Sequence, residues 1–80
     1  MGEVADWEGW GSDDQGHHVH VLSTGCTREV AAGRVVGRVL VKYGPKTDPR
    51  TWRFWLECVQ DGRRVVVAFR VDGGGGLIFL

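Results

Sequence analysis

Eighty residues carrying ten basic and ten acidic side chains, 42% apolar and 25% charged, make a formally neutral chain of ordinary globular composition. That length allows one domain with a modest core, leaves little room for a deep internal pocket, and makes support from self-association an expectation. No apolar run reaches the ~18–20 residues of a membrane span, and the first residues lack the basic start and apolar stretch of a secretory signal, so a cytoplasmic chain without a membrane partner is expected.

The neutral total hides an uneven distribution. Residues 1–27 hold five acids (Glu3, Asp6, Glu8, Asp13 and Asp14) and no Lys or Arg, whereas all ten basic residues lie in 28–80 with the other five acids. An acidic leader joined to a basic body is a pattern associated with nucleic-acid or membrane contact. The two cysteines, Cys26 and Cys58, are too few for a disulfide framework and are expected to be reduced.

In chain order, residues 1–16 read as an irregular leader punctuated by glycines, whose tryptophans Trp7 and Trp10 should dock on the body or on a partner. Residues 17–80 read as a single β domain. His17 to Ser23 alternates, with Val19 and Val21 on one face and His18, His20 and Leu22 on the other, which is a short strand. Thr24–Thr27 reads as a turn, and 28–32 as a strand or a single helical turn. The run 34–43 alternates again, with Val35, Gly37, Val39, Val41 and Tyr43 on one face, so a strand bent at Gly37 is expected. Two prolines hold open the loop 44–50.

The runs 51–60 and 63–72 are rich in β-branched and aromatic residues and are separated by Asp61-Gly62, a dipeptide suited to the two positive φ angles of a type I′ turn. A two-residue loop sets Gln60 opposite Arg63, and then Cys58 faces Val65, Leu56 faces Val67, Phe54 faces Phe69 and Trp52 faces Val71. A slip by one residue would destroy this apolar matching. Gly73–Gly76 reads as flexible, and the apolar residues 77–80 as a last short strand of this sheet or of a neighbouring copy. The fold class expected is all-β, a small antiparallel barrel or sandwich of five or six short strands. Its expected core is Val39, Val41, Tyr43, Trp52, Phe54, Leu56, Val65, Val67, Phe69 and Val71.

The outer face of the same hairpin carries Arg53 opposite Arg70, Trp55 opposite Ala68, Glu57 opposite Val66 and Val59 opposite Arg64. With the 34–43 strand alongside, Arg34, Arg38 and Lys42 would join it. Arg38, Lys42, Arg53, Trp55, Arg64 and Arg70 are therefore the candidate contact residues. Cations that follow phosphates beside a ring that stacks a base are the elements of a single-stranded nucleic-acid platform. The acidic leader offers a cover for that face, in cis or from another copy.

His18-x-His20 has a metal-site spacing similar to the first metal motif of cupins, but Thr24 and Gly25 stand where that motif has Glu, and no later His follows. No metal, cofactor or catalytic residue is expected. The function expected is a small non-catalytic binding module contacting nucleic acid, single strands in preference. The alternative is a protein-interaction or inhibitor domain that self-associates, as a homo-oligomer, or docks a partner through exposed tryptophans and the apolar C-terminal strand.

Overall fold

A computed structural model describes residues 3–80; the first two residues of the expected leader lie outside the described residues. The elements are β1 (Ala5–Ser12), β2 (His18–Cys26), α1 (Arg28–Tyr43), a one-turn 3-10 segment (Pro49–Thr51), β3 (Arg53–Gln60), β4 (Arg63–Val71) and β5 (Leu77–Phe79). The five strands form one sheet in the order β2-β1-β3-β4-β5, with every neighbouring pair antiparallel. The chain is mostly β, as its alternation implies, but the sheet is open, and α1 covers one face of it.

The β3–β4 hairpin has the register the sequence implies: Gln60 faces Arg63, Cys58 faces Val65, Leu56 faces Val67 and Phe54 faces Phe69. Asp61 and Gly62 take φ of 52° and 74°, the positive pair that this turn requires. The C-terminal residues add β5 to the same sheet, with Phe69 opposite Phe79 and Val71 opposite Leu77.

Two expectations are overturned. Residues 5–12 are not an irregular leader but the interior strand β1, paired on both sides. Its alternation is built from Trp7, Gly9 and Gly11, all buried beneath the helix. A Cβ at Gly9 would overlap Val35 Cγ2, and one at Gly11 would come within 2.7 Å of the Phe54 ring. These glycines are the places where the helix and a core ring press against the strand backbone. They mark close packing, not mobility. Trp7 is anchored there by its indole N–H, which donates to the Cys26 carbonyl at 3.1 Å.

Residues 34–43 are not a strand but the greater part of a helix of 16 residues, α1, which also takes in 28–33. Thr27 caps it, its hydroxyl accepting from the Val30 N–H, and Gly44 at φ 100° ends it by donating to the Leu40 carbonyl. Ala31, Ala32, Val35 and Val39 are its buried stripe. A separation of four suits both periods, so Val35 and Val39 share a face in a strand and in a helix. Val41 separates the two cases: it belongs to the expected strand core, yet is 83% exposed on the outer side of α1. Gly33 and Gly37, which cost a helix about 1 kcal/mol each relative to Ala, are outweighed by burial of the stripe.

The core lies between α1 and the sheet. Leu56, Val39 and Ala32 are fully inaccessible, with Val35, Phe54, Phe69, Val71 and Trp52 nearly so. Tyr43, Val65 and Val67 pack at its margin. Within the described residues no helix is long and apolar enough to cross a membrane.

Candidate nucleic-acid interface on the open sheet face

Successive strand residues point to opposite sides, so each strand that buries side chains beneath α1 presents the intervening ones on the other face. The pairing registers set these in rows. One row runs His20, Trp10, Trp55 and Ala68 across β2, β1, β3 and β4. Leu80 continues it, since its N–H donates to the Ala68 carbonyl at 2.9 Å. A flanking row holds Leu22, Glu8, Glu57 and Val66. The other flanking row holds His18, Ser12 and Arg53, with Arg70 opposite Ile78 beyond them.

The central row is a stack of rings. Trp10 lies 5.0 Å from His20 and 5.7 Å from Trp55 between centroids, with interplanar angles of 13° and 14°. Parallel planes at the strand spacing mean that the rings stand on the sheet and face one another. Trp10 spends both of its faces, and Trp55 keeps one, which looks across Ala68.

That remaining face borders a depression of about 570 Å³ whose lining includes Trp55, Ala68, Leu80, Arg53, Arg70 and Arg50. Trp55 and Leu80 stand on either side of Ala68, two strand spacings or about 9.6 Å apart in backbone. Ala68, the smallest side chain in the row, leaves the space between them open.

Charges on this face are largely paired. Glu8 and Glu57 are directly opposite, a repulsive arrangement, relieved on each side by a partner. His20 Nε2 lies 2.8 Å from Glu8 Oε2, and Arg64 bonds Glu57. The hydrogen bond from Arg64 to Glu57, with the carboxylate charge behind it, raises the guanidinium above its ordinary value. Arg53 is 84% exposed on its side chain and, among the described residues, has only Asp14, at 4.0 Å, as an ion-pair partner. Arg70 has no ion-pair partner among the described residues. Arg50 is held by Asp48 through two bonds of 2.9 Å, and this side-chain bond is the main cause that lowers the Asp48 carboxyl.

The six residues singled out from the sequence therefore divide. Arg53, Trp55, Arg64 and Arg70 share the open face, Arg64 already engaged by Glu57. Arg38 and Lys42 do not reach it, because they stand on α1 on the opposite side of the sheet. Trp10, His20, Ala68 and Leu80 join the same face and are not among the six; Trp10 and the C-terminal strand enter the sequence reading only in the protein-interaction alternative. Once 5–12 is a strand, its own alternation puts Trp10 opposite the buried glycines, and that was the available signal. The leader supplies part of the face and does not lie over it.

Around His18 and His20, as elsewhere among the described residues, no group of three or more His, Cys, Asp or Glu side chains converges. Both cysteines are free and buried, and burial pushes the Cys58 thiol up. No protein-family model, curated protein or solved structure matches the chain.

Proposed function

We propose that this chain is a small, non-catalytic cytoplasmic module that binds single-stranded nucleic acid on its open sheet face. The observation that carries the reading is the depression above Ala68, with one unspent Trp55 face as a wall and Arg53 and Arg70 beside it. A base entering the gap continues the His20–Trp10–Trp55 stack, and stacking on an aromatic side chain is worth about 1–3 kcal/mol. The two guanidiniums then lie where the phosphates on either side of that base run, and their contribution falls with salt through counterion release. The gap suits an unpaired base, whose faces are free to stack, whereas a base in a duplex is already stacked on both neighbours. The footprint is short, and affinity should be modest.

The test is anisotropy of labelled single-stranded and duplex oligonucleotides titrated with the protein at low and moderate salt. Single strands should bind more tightly, and Trp55→Ala should weaken binding by about 1–3 kcal/mol without unfolding the domain. Arg53→Ala should instead flatten the salt dependence by about one unit of slope. Equal binding by both variants and the wild type would remove the reading.

A protein partner is the second reading, and exposed aliphatic side chains favour it: Leu22, Val59, Val66 and Leu80 on the same face are 68%, 72%, 54% and 74% accessible. Such a partner would be insensitive to Arg53→Ala and to salt.

A further inference from the structure

Arg38 and Lys42, separated from the open face, stand instead beside an unpaired strand edge. β2 is the outermost strand on its side of the sheet. Its nine residues contain no Lys, Arg, Asp, Glu or Pro, so it has none of the charges or prolines that commonly blunt an edge.

The hairpin fixes which of its backbone groups are free. The Asp13 N–H donates to the His17 carbonyl at 3.1 Å, which makes Ser12–His18, Trp10–His20 and Glu8–Leu22 the pairs that are not hydrogen-bonded to β1. The N–H and C=O groups of His18, His20 and Leu22 therefore point away from the sheet, and alternation carries the pattern to Thr24. His18 is already satisfied: Tyr43 Oη accepts its N–H at 3.2 Å, and Tyr43 Oη and Lys42 Nζ donate to its carbonyl at 3.0 and 3.3 Å. At the other end Gly25, at φ 62°, turns its N–H to Asp6 Oδ1. The open window is His20 to Thr24.

α1 runs back along β2, from its cap at Thr27 to Tyr43 beside His18. Lys42 reaches the outer edge, and Arg38 and Arg34 precede it at steps of four along the same side of the helix. Both arginines are exposed, and no ion pair engages any of the three among the described residues. A ladder of unpaired backbone groups thus runs under a row of three unpaired cations. A second copy pairing through this edge would bring two such rows together, and like charges oppose it.

We propose that the β2 edge binds an extended acidic peptide segment by strand addition, its carboxylates meeting Arg34, Arg38 and Lys42. Residues of the segment opposite His20, Leu22 and Thr24 exchange N–H···O bonds with β2 and point to the open face. The residues between them point to the helix side, and those are the acidic ones. This site is separate from the gap above Ala68 and does not depend on that reading.

The probe is acetylated, amidated Glu-Val-Glu-Val-Glu-Val-Glu, added to the ¹⁵N-labelled protein and followed by amide chemical shifts. Shifts should centre on His20, Leu22 and Thr24. N-methylation of the three valines, whose amides face β2, should weaken binding by about tenfold or more, whereas N-methylation of the two inner glutamates, whose amides face solvent, should leave it within about twofold. Arg38→Glu, at an exposed helix position, should weaken binding by about three- to tenfold. Equal binding of Lys-Val-Lys-Val-Lys-Val-Lys, indifference to valine N-methylation, no shifts at millimolar peptide, or a dimer that protects the same amides without peptide would each overturn the proposal.

Discussion

The two faces of the sheet are made from the same strands and differ in what they ask of each side chain. Beneath α1, fit governs: Leu56 and Val39 are inaccessible, and Gly9 and Gly11 have no side chain because a helix side chain and a core ring occupy the space. On the open face Trp10 and Trp55 are only partly buried, stack on each other, and stand among exposed aliphatic and charged groups. One face consumes its apolar surface in the fold; the other leaves an unspent ring, an unfilled gap, Arg70 with no ion pair among the described residues and Arg53 held only loosely by Asp14. Stability should therefore be sensitive to one face and binding to the other.

The sharpest way to break that contrast is a substitution under the helix. Leu56→Ala, at a site with no access to solvent, should cost about 2–5 kcal/mol in urea unfolding, enough to threaten so small a domain. Gly9→Val should cost about 1–3 kcal/mol by overpacking against Val35. Removing the cap with Thr27→Ala should cost about 1 kcal/mol. On the open face Trp55→Ala should cost less than Leu56→Ala, losing a ring pair worth about 0.5–1.5 kcal/mol together with the burial of one ring face, while abolishing most oligonucleotide binding.

Acid should act on the loops that frame the sheet. Burial pushes the Asp13 carboxyl up, but hydrogen bonds from the His17 side chain and from the His17 and Gln15 N–H groups outweigh it and hold the carboxyl below 3.8. Asp48 is held below 3.8 chiefly by Arg50. A carboxyl lowered in the folded state stabilises it above the unfolded value, and that contribution is lost as pH falls through the folded value. The urea midpoint should drop on acidification below about pH 4, and Asp13→Asn should flatten that drop. The smallest expected effect is a gain: Glu57→Gln frees Arg64, and the salt slope of oligonucleotide binding should steepen by about one unit.

How much of this the sequence discloses depends on how many constraints act on each segment. The β3–β4 hairpin is legible because turn chemistry at Asp61-Gly62 and apolar matching on both strands point to one register. Residues 34–43 are not, since Val35 and Val39 satisfy both periods and the glycines and valines disfavour a helix locally. Burial against β1 and β2 decides the matter, and that is a tertiary effect. Residues 5–12 mislead for a related reason: glycines that suggest a mobile leader are required by the close approach of Val35 and Phe54. The site inherits both misreadings. Trp55, Arg53 and Arg70 lie on the legible hairpin, whose register sets them on one face, Trp10 lies on the misread strand, and Arg38 and Lys42 stand on a helix and not on the sheet.

The most direct test of the open-face account is to fill the gap without touching the ring or the arginines. Ala68→Leu, at an exposed strand position, should leave the fold and its urea midpoint essentially intact. Measured by anisotropy at low salt, its binding of a labelled single-stranded oligonucleotide should fall to about the level of Trp55→Ala, because the base can no longer stack. Undiminished binding by a folded Ala68→Leu protein would contradict the account and place any nucleic-acid contact elsewhere.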